Sequence, residues 1–217
     1  MTQTLTERVL GFDLAKSTLV AITADSKYTI YNLQQPQNVF RQADENQLKS
    51  MLRCVAVFAD GESFVLGSVE GRASVHRLDL GRAAHPKNGY AHRASSRSLA
   101  HRRLSSDFAF KCHRDATKTP VTIFPVNAFA VYDEKVFATC GGDGGLNTWD
   151  VMERHRGLRF DNLGMPTTAA AFSRDRTILA YALGNDWHKG AQNFQQQQQA
   201  KIMLHPVQPG DYTIKKS

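Results

Sequence analysis

Gly141-Gly142-Asp143-Gly144-Gly145, followed at once by Leu146-Asn147-Thr148-Trp149, reads as a tight turn running into a strand. An acidic residue followed by glycine suits a hairpin because such a turn needs positive φ, which glycine adopts without a steric penalty. The same arrangement stands at Ser68-Val69-Glu70-Gly71-Arg72, running into Ala73-Ser74-Val75-His76, and at Thr23-Ala24-Asp25-Ser26-Lys27, running into Tyr28-Thr29-Ile30-Tyr31. Ahead of each turn lies an apolar strand: Val9-Leu10-Gly11-Phe12, Cys54-Val55-Ala56-Val57-Phe58 and Val126-Asn127-Ala128-Phe129-Ala130. A fourth such strand is Thr168-Ala169-Ala170-Ala171-Phe172. These four strands start 45, 72 and 42 residues apart. The in-register apolar pattern predicts strands near 9–12, 18–23, 28–33, 53–58, 63–68, 73–78, 126–131, 135–140, 145–149, 168–172 and 178–182.

A unit of about 40–45 residues carrying four strands is the period of a WD-repeat β-propeller, and Trp149-Asp150 supplies the WD dipeptide at the expected strand end. The predicted fold class is therefore all-β, with blades near 8–45, 50–115, 120–162 and 165–217. The 72-residue spacing hides an insertion over 82–103. It holds Arg82, Lys87, Arg93, Arg97, Arg102 and Arg103, with His85, His92 and His101 and no carboxylate. It reads as a basic loop, either an RNA-contacting arm or a solvated excursion. Gln192 and Gln195 to Gln199 read as a polar loop before a last strand, Lys201-Ile202-Met203-Leu204-His205. Only Asp211 to Ile214 remain as a weak candidate for a closing outer strand, whereas a propeller must close to hide its strand edges. Thr4 to Arg8 look like the tail of a preceding blade. We read the chain as about four C-terminal blades of a seven-bladed ring.

Composition narrows the function classes. At 217 residues and 41% hydrophobic the chain supports one globular domain. No apolar run approaches the roughly 20 residues of a membrane span, so no membrane partner is expected, and Met1 to Thr6 do not read as a signal peptide. Cys54, Cys112 and Cys140 are odd in number and lie in or beside strand-like segments, as reduced core thiols do; a cytosolic or nuclear compartment follows. The net charge of +7 favours anionic partners, nucleic acid foremost.

Several stretches resemble a nuclear-pore family. They are Arg53 to Phe58, Gly67-Ser68-Val69-Glu70-Gly71-Arg72-Ala73-Ser74-Val75-His76, Phe108-Ala109-Phe110-Lys111-Cys112-His113-Arg114 and Phe124-Pro125-Val126-Asn127-Ala128. The family is the messenger-RNA export WD-repeat proteins (Rae or Gle type), sister to the Bub-type spindle-checkpoint WD-repeat proteins. The Glu70 turn and the Cys112-His113 stretch are common to both groups. Asp186-Trp187-His188-Lys189-Gly190 and Asn162-Leu163-Gly164-Met165-Pro166 look like the export type. The resemblance covers nearly all of residues 4–205 and lacks the first three or so blades. It implies a scaffold that binds the GLEBS peptide of a nucleoporin and RNA or messenger ribonucleoprotein, in the nucleus, at the nuclear envelope and pore, and also in the cytoplasm. The sister group implies a checkpoint adaptor for kinase-borne GLEBS peptides, with spindle-checkpoint proteins or microtubule-associated factors as partners.

The residues expected to bind peptide are Glu70, Arg72, Lys111, His113 and Arg114. Loop-proximal charges of this kind either meet an acidic peptide in the forked geometry guanidinium allows or pair with one another to hold adjacent blades. The residues expected to bind RNA are Arg93, Arg97, Arg102 and Arg103 in the insertion, with Arg154 and Arg156 as a second basic cluster. No catalytic residue, metal site or cofactor is expected. There is no Gly-x-Ser-x-Gly elbow, and the glycine run at 141–145 lies between strands without the Lys-Ser/Thr and helix of a phosphate loop. Cys112 and His113, as neighbours on a strand, would point to opposite faces. The histidines show no zinc spacing with the cysteines.

Overall fold

The computed structural model describes residues 2–37, 39–43, 46–78, 107–188, 190 and 199–211. The first four-stranded antiparallel sheet is β1 (Val9–Ala15), β2 (Thr18–Thr23), β3 (Tyr28–Asn32) and β4 (Val39–Ala43). The second is β5 (Leu52–Val57), β6 (Ser63–Ser68), β7 (Arg72–Arg77) and β8 (Phe108–Lys111). A short pair, β9 (Arg114–Asp115) with β10 (Thr122–Ile123), links it to the third. That third sheet is β11 (Val126–Val131), β12 (Val136–Gly141), β13 (Leu146–Asp150) and β14 (His155–Phe160). The last comprises β15 (Thr167–Phe172), β16 (Ile178–Leu183) and β17 (Lys201–Pro206). The expected strands are all present, and β1 runs on three residues further, to Ala15. Asp211 differs from expectation: it closes a 3-10 turn, Pro209–Asp211, and its backbone carbonyl accepts the Thr148 hydroxyl at 2.8 Å. Residues 212–214 lie outside the described residues.

The repeat is written into the backbone. Each sheet's first strand carries a register shift at the same place, between Val9/Gly11, Leu52/Cys54, Val126/Ala128 and Thr167/Ala169. A bulge there sharpens the strand's twist. In the turns between second and third strands, Ser26, Gly71 and Gly144 all have positive φ, at 66°, 59° and 74°. Gly71 has no room for a side chain: a Cβ would stand 2.7 Å from the Cys112 carbonyl oxygen and 2.8 Å from that of Phe124.

The first strands lie side by side in chain order, β1 against β5, β5 against β11 and β11 against β15, which makes the sheets blades radiating from an inner arc. The core is the apolar filling between consecutive blades. Val20, Ile22, Tyr28 and Ile30 meet Leu52, Phe64 and Leu66 between the first two. Cys54, Ala56 and Val65 meet Phe129 and Phe137 between the second and third. Ala130, Ala138 and Cys140 meet Leu179, Tyr181 and Leu183 between the third and fourth. Cys54, Cys112 and Cys140 are buried free thiols.

Because every blade is an antiparallel meander, its connections alternate between two ends. The turns at 24–27, 69–71 and 142–145 and the segments leading into β5 and β11 share one end, here called the turn end. The end of β7 with Leu78, the start of β8 with Asp107, and the β13–β14 turn share the other.

Candidate functional site

The turn end gathers most of the expected peptide-binding residues. Arg72, opening β7, sits opposite Lys111, closing β8, in the ladder. Arg114, on β9, donates from Nη2 to the Glu70 carbonyl at 2.8 Å, so it ties the turn of the second blade to the segment leading into the third. The bond goes to the backbone and leaves the exposed Glu70 carboxylate out of it. The Nε atoms of Arg72 and Arg114 are buried without a hydrogen-bond partner among the described residues. Both side chains are only half-buried, and a guanidinium nitrogen open to solvent can take one oxygen of a carboxylate or phosphate.

His113 behaves differently. β8 ends at Lys111, so Cys112 and His113 leave the strand, and His113 turns inward with φ of 49°. Its side chain is buried, with Nδ1 2.8 Å from Asp143 Oδ1 and Nε2 2.8 Å from Thr139 Oγ1. Trp149 Nε1 donates to the same Thr139 oxygen at 3.0 Å. The four side chains bind the segment after blade two to the hairpin of blade three. Burial pushes the Asp143 carboxyl up, but hydrogen bonds from His113 and the Gly145 N–H outweigh it and hold the group below its ordinary range. A Cβ on Gly141 would fall 2.1 Å from His113 Nδ1, so glycine is required where the imidazole enters.

A second knot lies at the same end and was not among the expected site residues. Arg53 Nη2 donates to the Asp186 carbonyl at 3.1 Å, across 133 residues. The Asp186 carboxylate accepts Asn127 Nδ2 at 2.9 Å and pairs with His188 Nδ1. Desolvation raises the Asp186 carboxyl, and the hydrogen bonds from His188 and Asn127 more than reverse it. Beside this knot Trp187 projects into solvent, 55% exposed, and Phe124 meets the His188 ring edge-on at 5.9 Å. The Asp186-Trp187-His188 stretch was the sequence signal for this knot, but nothing local points to Arg53.

Two of the residues expected to bind RNA, Arg154 and Arg156, stand at the opposite end. Arg154 is exposed in the β13–β14 turn and lies over the Phe108 ring, 4.6 Å from its centroid. Arg156 is exposed near the start of β14. Phe108 opens β8, so the chain returns from the insertion beside Arg154. Arg93, Arg97, Arg102 and Arg103 fall outside the described residues. Among the described residues no group of His, Cys, Asp or Glu could hold a metal ion, and no helix is long and apolar enough to cross a membrane.

Antiparallel blades on an inner arc, with recurring bulges and turns, define a WD-repeat β-propeller. No family model matches the chain. It is 34% identical over 203 residues to mRNA export factor GLE2 of Chaetomium thermophilum, covering 93% of this chain and 51% of that protein. It is 32% identical over 216 residues to Protein RAE1 of Arabidopsis thaliana, covering 99% of this chain and 54% of that one. The chain is thus a relative of the messenger-RNA export WD-repeat proteins along nearly its whole length, and it spans about half the length of the curated relatives it matches. The computationally designed Ika4 protein superposes with a TM-score of 0.59 over 96% of both chains at 13% identity, a likeness of fold alone.

Proposed function

We propose that the chain is a non-enzymatic binding platform in nuclear messenger-RNA export. Its turn end holds a GLEBS-type nucleoporin peptide, and its opposite end meets RNA or messenger ribonucleoprotein. The observation that carries this is the basic rim at the turn end: Arg72 stands opposite Lys111 in the ladder, Arg114 is anchored on the carbonyl of Glu70, two residues before Arg72, and both arginine side chains are only half-buried. An acidic peptide segment supplies the acceptors. Glu70 gives the rim one negative charge beside the positive ones and so selects register as well as sign. His113 serves as the internal strut under this rim. The name of one relative, mRNA export factor GLE2, supports the export role, and with it a place in the nucleus, at the pore and in the cytoplasm.

The competing reading is a spindle-checkpoint adaptor holding kinase-borne GLEBS peptides. A pull-down with nucleoporin and checkpoint-kinase GLEBS peptides side by side separates the two. The export reading expects the nucleoporin peptide to be retained preferentially. Preferential retention of the kinase peptide would replace it with the checkpoint reading.

A further inference from the structure

The basic rim does not end in polar surface. Ile123, 44% exposed, pairs with Arg114 in the β9–β10 ladder, and residues opposite one another in such a ladder stand on the same face. An exposed branched side chain therefore flanks the Arg114 guanidinium. The next residue, Phe124, is half-buried, and its N–H donates at 3.0 Å to the carbonyl of His113, the residue before Arg114. The Phe124 ring meets that of His188 edge-on, and His188 follows Trp187 in the chain. Ile123, Phe124, His188 and Trp187 thus form one surface at the turn end, joined to the rim by bond or by contact.

Trp187 is held there against its backbone preference. Its φ is 60°, a left-handed conformation that is unfavourable for a bulky side chain and persists only where its surroundings enforce it. The Trp187 N–H donates to Asn185 Oδ1 at 2.9 Å, and its carbonyl accepts the Gly190 N–H at 2.9 Å. On one side of it Asp186 is buried and tied to Arg53 and Asn127, and on the other His188 pairs with the same carboxylate. Arg53 and Asn127 belong to the second and third blades, each of which has a neighbouring blade on both sides. The Asp186 charge is satisfied inside the knot, so what the loop presents outward is the indole.

We propose that this surface is the second half of the peptide site: an apolar shelf, from Ile123 to Trp187, that takes a large apolar side chain of the same peptide whose carboxylates meet Arg72 and Arg114. It rests on the peptide reading above and fixes the class of residue that must accompany the acidic ones. The occupant follows from charge and from continuity with the rim. A ligand without carboxylates leaves Arg72, Lys111 and Arg114 unanswered, and one without a large apolar side chain leaves the shelf in water. Interfaces concentrate their binding energy at aromatic anchors beside a polar rim, tryptophan foremost among them.

Calorimetry and fluorescence test this with two probes. One is a nucleoporin GLEBS peptide without tryptophan. The other is the same peptide with its large apolar residues changed to serine and its acidic residues kept. Trp187→Ala should weaken the parent peptide by about 30-fold and Ile123→Ser by about fivefold, with the urea midpoint unchanged. Trp187→Phe should recover most of the loss. The serine peptide should bind the wild type and Trp187→Ala alike, because each change removes one side of the same contact. Trp149 and Trp187 are the chain's two tryptophans. The parent peptide should therefore shift the emission of the wild type to the blue and leave that of Trp187→Phe in place. A loss of affinity in Arg72→Ala/Arg114→Ala with none in Trp187→Ala would overturn the shelf and keep the rim. An unshifted wild-type emission would also overturn the shelf, as would a Trp187→Ala chain that discriminates between the two peptides as well as the wild type does. A wild type that binds neither peptide would overturn the rim and the shelf together.

Discussion

Arg114 donates to the Glu70 carbonyl at 2.8 Å and thereby fixes its guanidinium at the mouth of the second blade's turn. One nitrogen is spent on the scaffold, and Nε is buried beside it without a partner among the described residues. Of the two readings offered by the sequence, the blade strut uses Nη2, and the peptide clamp proposed above rests on the remainder of the guanidinium.

Arg114→Ala separates those uses. Truncating one partner of a desolvated charge pair costs about 2–5 kcal/mol of binding, and the half-buried setting of Arg114 points to the low end. Calorimetry should show GLEBS-peptide affinity falling by that amount while the unfolding midpoint in urea moves little. Unchanged affinity would leave Arg114 as a strut.

His113→Ala should act in the opposite sense. It takes one partner from Thr139 and leaves the Asp143 carboxylate without its imidazole in a largely buried setting, at about 1–3 kcal/mol for a neutral group and more for a charged one. Urea unfolding should register a loss of roughly 2–4 kcal/mol in stability. Peptide affinity measured on the folded fraction should hold.

Acid should loosen both knots at the turn end. The Asp143 and Asp186 carboxyls lie below their ordinary value of 3.8 when folded. A depressed carboxyl contributes stability that is fully present above the unfolded value and is lost as pH falls through the folded one. Thermal midpoints contributed by these groups should be level down to about pH 5 and decline below about pH 4. Asp143→Asn should flatten part of that decline.

The thiols should be silent in the folded protein. Burial pushes the Cys140 thiol up to about 12, and Cys54 and Cys112 are raised well above the usual range by the same cause. A colorimetric thiol reagent at neutral pH should titrate none of the three until denaturant is added. A fast-reacting thiol in the native protein would contradict the packing between blades.

RNA binding should depend on phosphate contacts. If about four of the basic residues engage single strands, the log–log salt slope should be near −3. Deleting residues 82–103 should flatten it without touching peptide affinity, because Arg154 and the described residues that flank the insertion, Leu78 and Asp107, stand at the far end of the blades from Arg114. Identical slopes would show the insertion to be idle.

The strands, the turns and their positive φ were legible because each depends on residues adjacent in the chain: Asp25-Ser26, Glu70-Gly71 and Asp143-Gly144 mark the same corner three times. The family was legible for the same reason, from runs such as Phe108 to Arg114. What could not be read was what happens across blades. His113 looks like one more polar residue in a basic run, and only the meeting of Thr139, Asp143 and Trp149 makes it a core group. Arg53 and Asp186 lie 133 residues apart, and no local pattern joins them. The alanines of β15 and β16 read as ordinary strand residues until Ala169 is seen to pair with Ala182 and Ala171 with Ala180 on one face.

The most direct test of the peptide rim is a calorimetric titration of a nucleoporin GLEBS peptide into the wild-type chain and into Arg72→Ala/Arg114→Ala. The account predicts saturable binding to the wild type and an affinity at least about 30-fold weaker for the double variant, equivalent to about 2 kcal/mol. A wild type that does not bind the peptide, or a folded double variant that binds it equally well, would contradict it.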